Sequence, residues 1–470
     1  MAIFQCYLLI SIYSIIYSMP DTASTVTHRL GQGPATAAEL INALGVSQPV
    51  LSRLMQDLRR EGRVVRIGAA RSARYGLLRA VPGAGGTTWP VYRIDERGKI
   101  HPLGHLHSLA RDHYFSDCEP PRLQGVTEGI PYFLQDHRPE GFLGGAIPTA
   151  YPELALPARV VDWTDDHYLA YLTRRGSDTV GDLIVGAEAL ERYLSLLKTR
   201  QSVTVKRRAT EYPRLANAAM AGGNPGSSAH GEHPKFTAML DDGRLRTHVI
   251  VKFSPPRATR LGARWADLLV AEHLAHEHLG SNGIAACRST ILEFDDRIFL
   301  QVERFDRIEA EGRRGVVSLL ALDTSRYGQV DRWSSSAARL CNDRLLSEED
   351  LNRTRLLEAF AMLTANTDRH FGNVSLFDRY EGRFELAPVY DMLPMLFAPQ
   401  NDQLVEREFD PPDPTADTIT AWGRAYTLAE EYWALLVSDT RISEEFRTLS
   451  NHCLTALRAT PQRVAAPARS

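Results

Sequence analysis

Between Thr364 and Leu393 the chain reads TANTDRHFGNVSLF and, after a short turn, LAPVYDML, and no other stretch restricts its fold as tightly. An apolar helix over 356–363 runs into a polar turn. That turn presents Asp368 and, five residues on, Asn373. A strand over 374–377 follows, Asp378-Arg379-Tyr380-Glu381-Gly382 reverses it, and 384–388 returns. The returning strand delivers Asp391, 23 residues after Asp368. A hairpin of this register predicts that Asn373 and Asp391 lie close together beside Asp368.

That grouping suits phosphoryl transfer. One carboxylate accepts or orients the proton of the acceptor hydroxyl, while an amide oxygen and a second carboxylate hold Mg²⁺ on the ATP phosphates. In protein kinases the catalytic Asp stands five residues before the metal-binding Asn. Asp368 and Asn373 keep that interval, although Asp-Arg-His replaces His-Arg-Asp. Asp-x-x-x-x-Asn alone is also what an ordinary loop of Asx turns shows. The hairpin, with Asp391 in register, is what sets this stretch apart.

At 470 residues the chain has room for about three domains. A content of 44% hydrophobic and 24% charged residues predicts a packed core. The formal charge of −3 gives no global reason to bind nucleic acid or membrane, so any such binding has to come from a local patch. Cys6, Cys118, Cys287, Cys341 and Cys453 are scattered and lack zinc spacing, as expected of reduced thiols in a cytoplasmic protein. Residues 2–18 are uncharged and apolar. They lack a basic leader and are slightly short to span a bilayer, so 1–27 reads as an extension with an over-extended start ahead of Met19, a membrane or signal segment being the alternative.

Residues 28–79 form a first module. Helical periodicity over 36–44, the turn Gly45-Val46-Ser47 and a second helix over 48–60 resemble a helix-turn-helix. Two short strands, 63–68 and 74–78, flank a basic turn holding Arg71, the pattern of a winged helix. Gln48, Ser52, Arg53 and Gln56 would face the major groove of duplex DNA, with Arg71 and Arg74 near phosphates. A protein-binding adaptor of the same shape is the alternative.

Pro82-Gly83-Ala84-Gly85-Gly86 marks 80–90 as a linker. Residues 91–306 read as one lobe. Its first part has strands over 91–94 and 100–103, helices over 168–174 and 190–197, and loops over 141–145 and 181–186. Further on, 222–235 is rich in small residues that let backbone N–H groups approach phosphates, and a strand over 236–240 follows. Strand 248–253 carries Lys252 near its end, where it either snorkels to water or pairs with phosphate. The helix over 265–279 offers Glu272 as its partner, with Asp267 and Glu277 as alternatives. Strand 298–303 runs into Arg304-Phe305-Asp306-Arg307, a suitable hinge. Residues 307–450 form a second lobe and 451–470 a tail.

Loop, strand Lys, helix Glu, hinge, Asp-x-x-x-x-Asn, hairpin and Asp stand in the order of a bilobal kinase. More specifically, VERFDR, NTDRHFGN and LAPVYDMLP resemble the HipA family of bacterial serine/threonine kinases, the toxins of type II toxin–antitoxin pairs. The fused winged-helix module is similar to that of the solitary YjjJ-type members. The resemblance implies an α+β, bilobal protein-kinase-like fold behind a winged helix-turn-helix. It implies Asp368 as catalytic base, Asn373 and Asp391 as Mg²⁺ ligands, and Lys252 on the ATP phosphates. Glu303 to Phe305 would line the adenine pocket, and Ser228, Gly231, Lys235 and His370 would complete the nucleotide site. In the family a serine of the phosphate loop is autophosphorylated; Ser228 matches best, with Ser227 beside it. Growth inhibition through phosphorylation of a cellular protein is the implied function. Family substrates include aminoacyl-tRNA synthetases, and the usual partner is a separate antitoxin. Two other readings remain open: a lipid or small-molecule kinase, since Asp-Arg-His-x-x-Asn also resembles phosphoinositide kinases, and a non-enzymatic DNA-binding regulator.

Overall fold

The computed structural model describes residues 22–69, 73–222 and 233–460. Ser227, Ser228, Gly231, Arg71 and the apolar 2–18 stretch lie outside the described residues. The architecture is mixed α/β, with successive layers packed on one another.

The first layer holds α1 (Thr22–Leu30), β1 (Ala35–Thr36), α2 (Ala37–Leu44), α3 (Gln48–Arg60), β2 (Val64–Ile67) and β3 (Arg74–Leu77). Thr36 starts α2 with a capping box: its hydroxyl accepts from Glu39 N at 3.2 Å, and its own N–H donates to the Glu39 carboxylate at 2.7 Å. Gly45, at φ 65°, ends that helix in the left-handed region and turns the chain into α3. Leu51, Met55 and Leu58 of α3 pack on Leu40 and Val64. Val26 and Leu30 of α1 complete that core, so the module begins before the expected residue 28. The strands pair in the order β1-β3-β2.

The expected linker is instead a packed turn. Val81 N donates to Gly86 O at 3.0 Å, and the Trp89 indole donates to Ala84 O at 2.8 Å. Val81, Ala84 and Trp89 are buried, and that burial holds the glycine-rich turn in place.

The single lobe expected over 91–306 resolves into two sheets. The first is formed by β4 (Thr88–Ile94), β5 (Ile100–Leu109), β6 (His113–Ser116), β7 (Gly125–Glu128) and β8 (Leu183–Val185), in the order β7-β6-β5-β4-β8. Helices α4 (Asp165–Arg175) and α5 (Ala187–Thr199) accompany it. Two segments expected to be loops contain regular structure: Gly141–Gly145 is a short helix, and β8 takes Leu183–Val185 from the 181–186 stretch. All three residues of β8 are buried, which outweighs the turn signal of its flanking glycines.

The second sheet contains β9 (Val203–Thr204), then, after α6 (Arg208–Gly222), β10 (Lys235–Asp241) and β11 (Arg246–Phe253). After α7 (Arg260–Ser281) come β12 (Ser289–Phe294) and β13 (Arg297–Glu303), and the order is β12-β13-β11-β10-β9. Leu268, Leu269, Ala271 and Ala275 of α7 share a core with Ile298 and Leu300 of β13.

A small hairpin, β14 (Arg307–Ile308) and β15 (Gly312–Arg313), leads to the last layer. There β16 (Val316–Ser318), β17 (Ser375–Phe377) and β18 (Glu385–Leu386) form a sheet surrounded by α8 (Leu319–Arg326), α9 (Trp333–Asn342), α10 (Glu348–Leu363), α11 (Ile419–Ser438) and α12 (Glu444–Ala459). The predicted hairpin is therefore β17–β18, with Leu376 opposite Leu386.

Candidate active site

The turn after α10 is anchored from below. The buried Trp433 indole donates to Leu363 O at 3.0 Å, and the Thr364 hydroxyl bonds back to Phe360 O at 2.8 Å. Ala365 then adopts φ 56°, and the chain leaves the helix. Asn366 is buried and makes two links that the sequence reading missed. Its Oδ1 accepts from Asp368 N at 3.0 Å, and its Nδ2 donates to Asp391 O at 3.4 Å. Asn366 thus ties the turn to the segment that returns 25 residues later. The Asn-Thr-Asp order was the only local hint, an Asx-turn signal.

Asp368 is exposed, on a backbone held at both ends. Its carbonyl accepts from Asn373 Nδ2 at 3.0 Å. That bond assigns the amide end of Asn373 and leaves Oδ1 as the end available to a cation. The Tyr390 hydroxyl donates to Gly372 O at 2.6 Å and pairs with the Ser375 hydroxyl at 2.7 Å. These bonds draw Tyr390, and with it Asp391, against the Asn373 turn. Asp391 has φ 52°, a left-handed conformation that Asp tolerates better than most residues.

Lys252 reaches the same place from β11. Its ammonium donates to both Glu272 oxygens at 2.8 Å and to Asp391 Oδ1. Glu272 is therefore the partner among the three acids of α7. Asp267 accepts from the N–H and hydroxyl of Ser443 at 2.7 and 2.6 Å instead, and Glu277 faces His273 at 3.4 Å. Burial works against the Lys252 charge, but Asp391 and Glu272 outweigh it and push its pKa up. Burial would also raise the Asp391 carboxyl, yet Lys252 and Lys235 hold it below the usual carboxylate range. Glu272 is raised by burial, against the pull of Lys252. Lys235 stands directly opposite Lys252 across β10 and β11, so two ammonium groups serve this corner.

The donor set fits Mg²⁺: Asn373 Oδ1 is a hard oxygen, and the Asp391 side chain is 32% exposed, with Oδ2 not engaged by Lys252. Among the described residues no group of three or more His, Cys, Asp or Glu is placed to hold a metal, so a cation here would draw on the amide and on phosphate oxygens.

Phe305 of the expected hinge packs on Tyr390 and Phe377, with ring centroids 5.7 and 5.8 Å apart. Glu303 ends β13, and its N–H donates to Arg288 O at 2.9 Å. His370 does not stand with Lys252. Its Nδ1 accepts from Gly372 N at 2.9 Å, and its ring lines a cleft of about 500 Å³ that Asp368 also lines and that Lys252, Asn373 and Asp391 do not. On the distal module, Gln48, Ser52, Arg53 and Gln56 are all exposed along α3, and Arg74 is exposed at the start of β3.

Residues 85–194 match the family model for the YjjJ-like toxin middle domain, and residues 227–457 match that for the HipA-like C-terminal domain. The toxin YjjJ of Escherichia coli (strain K12) is 36% identical over 461 residues, covering 94% of this chain and 99% of its own. Among solved structures, a chain of the Shewanella oneidensis MR-1 toxin–antitoxin complex of HipA, HipB and operator DNA aligns at TM-score 0.47 and 16% identity, over 78% of this chain and 95% of that one. The Helicobacter pylori proinflammatory kinase CtkA aligns at TM-score 0.34 and 14% identity, over 47% and 88%.

Proposed function

The chain belongs to the HipA-like toxins of YjjJ type, and from that membership we propose that it is an ATP- and Mg²⁺-dependent protein serine/threonine kinase with a DNA-binding head. The observation that carries the reading is Lys252 held between Glu272 and Asp391, with the Asp368–Asn373 turn tied to Asp391 through Asn366. Lys252 and Lys235 supply positive charge for nucleotide phosphates. Asn373 Oδ1 and Asp391 would hold Mg²⁺, which supplies charge neutralisation on the phosphates when bound. Asp368 orients the acceptor hydroxyl and takes its proton. Phe305, its ring packed at a tilt on Tyr390, sets the hinge against the metal side of the site.

Asp368→Asn tests this. Asn is nearly isosteric but cannot accept a proton. Transfer to lysate proteins should fall by about 10²–10⁴-fold, with Mg·ATP affinity by calorimetry unchanged. Near wild-type transfer would remove Asp368 from the mechanism.

The head reading is supported by a helix, α3, whose Gln48, Ser52, Arg53 and Gln56 are exposed while its apolar face is buried. These side chains suit a major groove, with Arg74 and Arg71 beside phosphates as in a winged helix. Replacing Arg71 and Arg74 by Ala should weaken binding to all duplexes and shallow the salt dependence by about one to two counterions. Absence of any duplex shift at low salt would favour the adaptor.

A further inference from the structure

The cleft beside Asp368 belongs to neither the Lys252 corner nor the head. Its walls include Arg332, Trp333, Met362, Asp368, Arg369 and His370. Its volume, about 500 Å³, is that of a pocket for a few residues of extended chain rather than a flat docking face.

Two other acids line it, and both are engaged. Asp331 accepts from the two terminal nitrogens of Arg339 at 3.0 and 2.8 Å. Glu358 accepts from Ser334 N at 2.9 Å, capping the first turn of α9. The basic groups are much less engaged. Among the described residues the Arg332 guanidinium has no acceptor, and that side chain belongs to an exposed residue. Among the described residues Arg369 makes one hydrogen bond, to Asn366 O at 2.5 Å, and Glu358 lies close enough for its charge to act on it. His370 accepts at Nδ1, so its Nε2 carries the hydrogen and is a third donor. Asp368, its carboxylate without a partner among the described residues, thus stands among three donors, of which Arg332 pairs with no acid among those residues while Arg369 also feels Glu358.

We propose that this cleft is the acceptor site and that it takes a serine or threonine carried on an acidic segment. The proposal rests on the kinase reading above. The acceptor hydroxyl would face Asp368, a carboxylate beside it in the peptide would pair with Arg332 and Arg369, and Trp333 and Met362 would bound the apolar side. In the transfer step the hydroxyl oxygen bonds to the γ-phosphorus of ATP. The bond from that phosphorus to the β–γ bridging oxygen breaks, ADP leaves, and the hydroxyl proton passes to Asp368.

The test uses the full chain and fluorescent serine peptides flanked by Asp and Glu, by Lys and Arg, or by neutral residues. Anisotropy reads binding, and γ-labelled ATP reads transfer. The acidic peptide should bind about tenfold more tightly than the neutral one. Arg332→Ala should erase that margin without changing Mg·ATP affinity, and Arg332→Glu should move the preference to the basic peptide. Arg332 is exposed, so circular dichroism should show both variants folded. A margin that survives Arg332→Ala, or a wild-type preference for basic or neutral peptides in both assays, would overturn the proposal. A DNA oligomer of matching charge held as tightly, and lost equally on Arg332→Ala, would overturn it too. Arg332-dependent binding of the acidic peptide without any transfer would uphold the cleft and remove the kinase reading. Transfer to neutral or basic peptides alone would do the reverse.

Discussion

Two ionic clusters flank the hinge, and they are built on opposite plans. At Lys252 one cation serves two carboxylates, and one of these, Asp391, is a third exposed. On the other side Arg304 and Arg307 both pair with Asp306, at 2.8 and 2.7 Å, and Arg307 also reaches Asp178 at 3.0 Å. Backbone carbonyls complete this second cluster: Gly181 O accepts from Arg307 at 2.9 Å and Thr179 O at 2.5 Å. Arg313 lies beside it, bonded to Ser177 O at 2.7 Å, and burial together with Arg307 pushes its pKa down to about 9. The first cluster has one ammonium in direct contact with both acids, Lys235 facing it across the strands, and is open at one edge. The second is rich in positive charge and sealed around Asp306, with only Asp178 exposed at its rim. On the proposed reading, the open edge is where a cation would enter and free the lysine for phosphates. A sealed one can only hold two pieces of chain together.

Removing one acid from the sealed cluster should have the largest effect on stability. Asp306→Ala leaves Arg304 and Arg307 buried without their shared partner and should cost about 3–5 kcal/mol in urea unfolding. A loss under about 1 kcal/mol would break the contrast. The open cluster should respond to ligand instead. Mg·ATP at about a hundred times its Kd should add about 2.7 kcal/mol of stability. Asp391→Ala should abolish that gain; an undiminished gain would show that Asp391 does not serve the metal.

The smallest effect concerns protons. His137 is buried, with Nδ1 bonded to the Thr179 hydroxyl at 2.7 Å. Burial, then Arg313 and Arg307, depress its pKa to about 3. The unfolded His binds a proton near pH 6.5, whereas the native one does not until about pH 3. Its contribution is therefore complete above about pH 6.5 and is lost as pH falls, by about 2 kcal/mol between pH 7 and 5. His137→Gln should remove that part of the slope and keep a partner for Thr179. Parallel slopes for the two proteins would refute the assignment.

What the sequence disclosed follows distance along the chain. Asp368, Asn373 and Asp391 were legible because one hairpin brings them together, and β17–β18 forms with the expected direction. The choice of Glu272 over Asp267 and Glu277 was not legible. It depends on Ser443, 176 residues from Asp267, which occupies that carboxylate as the N-cap of α12. Asn366 was missed because half of its role lies in the Asp391 backbone. The division of 91–306 into two sheets was hidden for a related reason. Strand β8 is three residues long and pairs with β4, some 90 positions earlier, so no local pattern announces it. The 80–90 linker was misjudged because glycine content says nothing of whether a tryptophan folds back onto the turn.

The family models divide the chain at 194 and 227, but its cohesion does not respect that division. Arg122 pairs with Asp378 at 2.6 Å, Tyr380 with Asp182, and the Ser318 hydroxyl with Asp136 at 2.6 Å. Each contact joins the layer of the first large sheet to the β16–β17–β18 sheet or its turn. For inheritance, the two segments form one indivisible cassette. A recombination that swapped either half alone would strand buried charges on both sides of the cut, and the head is tied in as well, since Ile67 shares a buried cluster with Leu109 and Phe115 and Arg79 pairs with Asp166 at 2.7 Å.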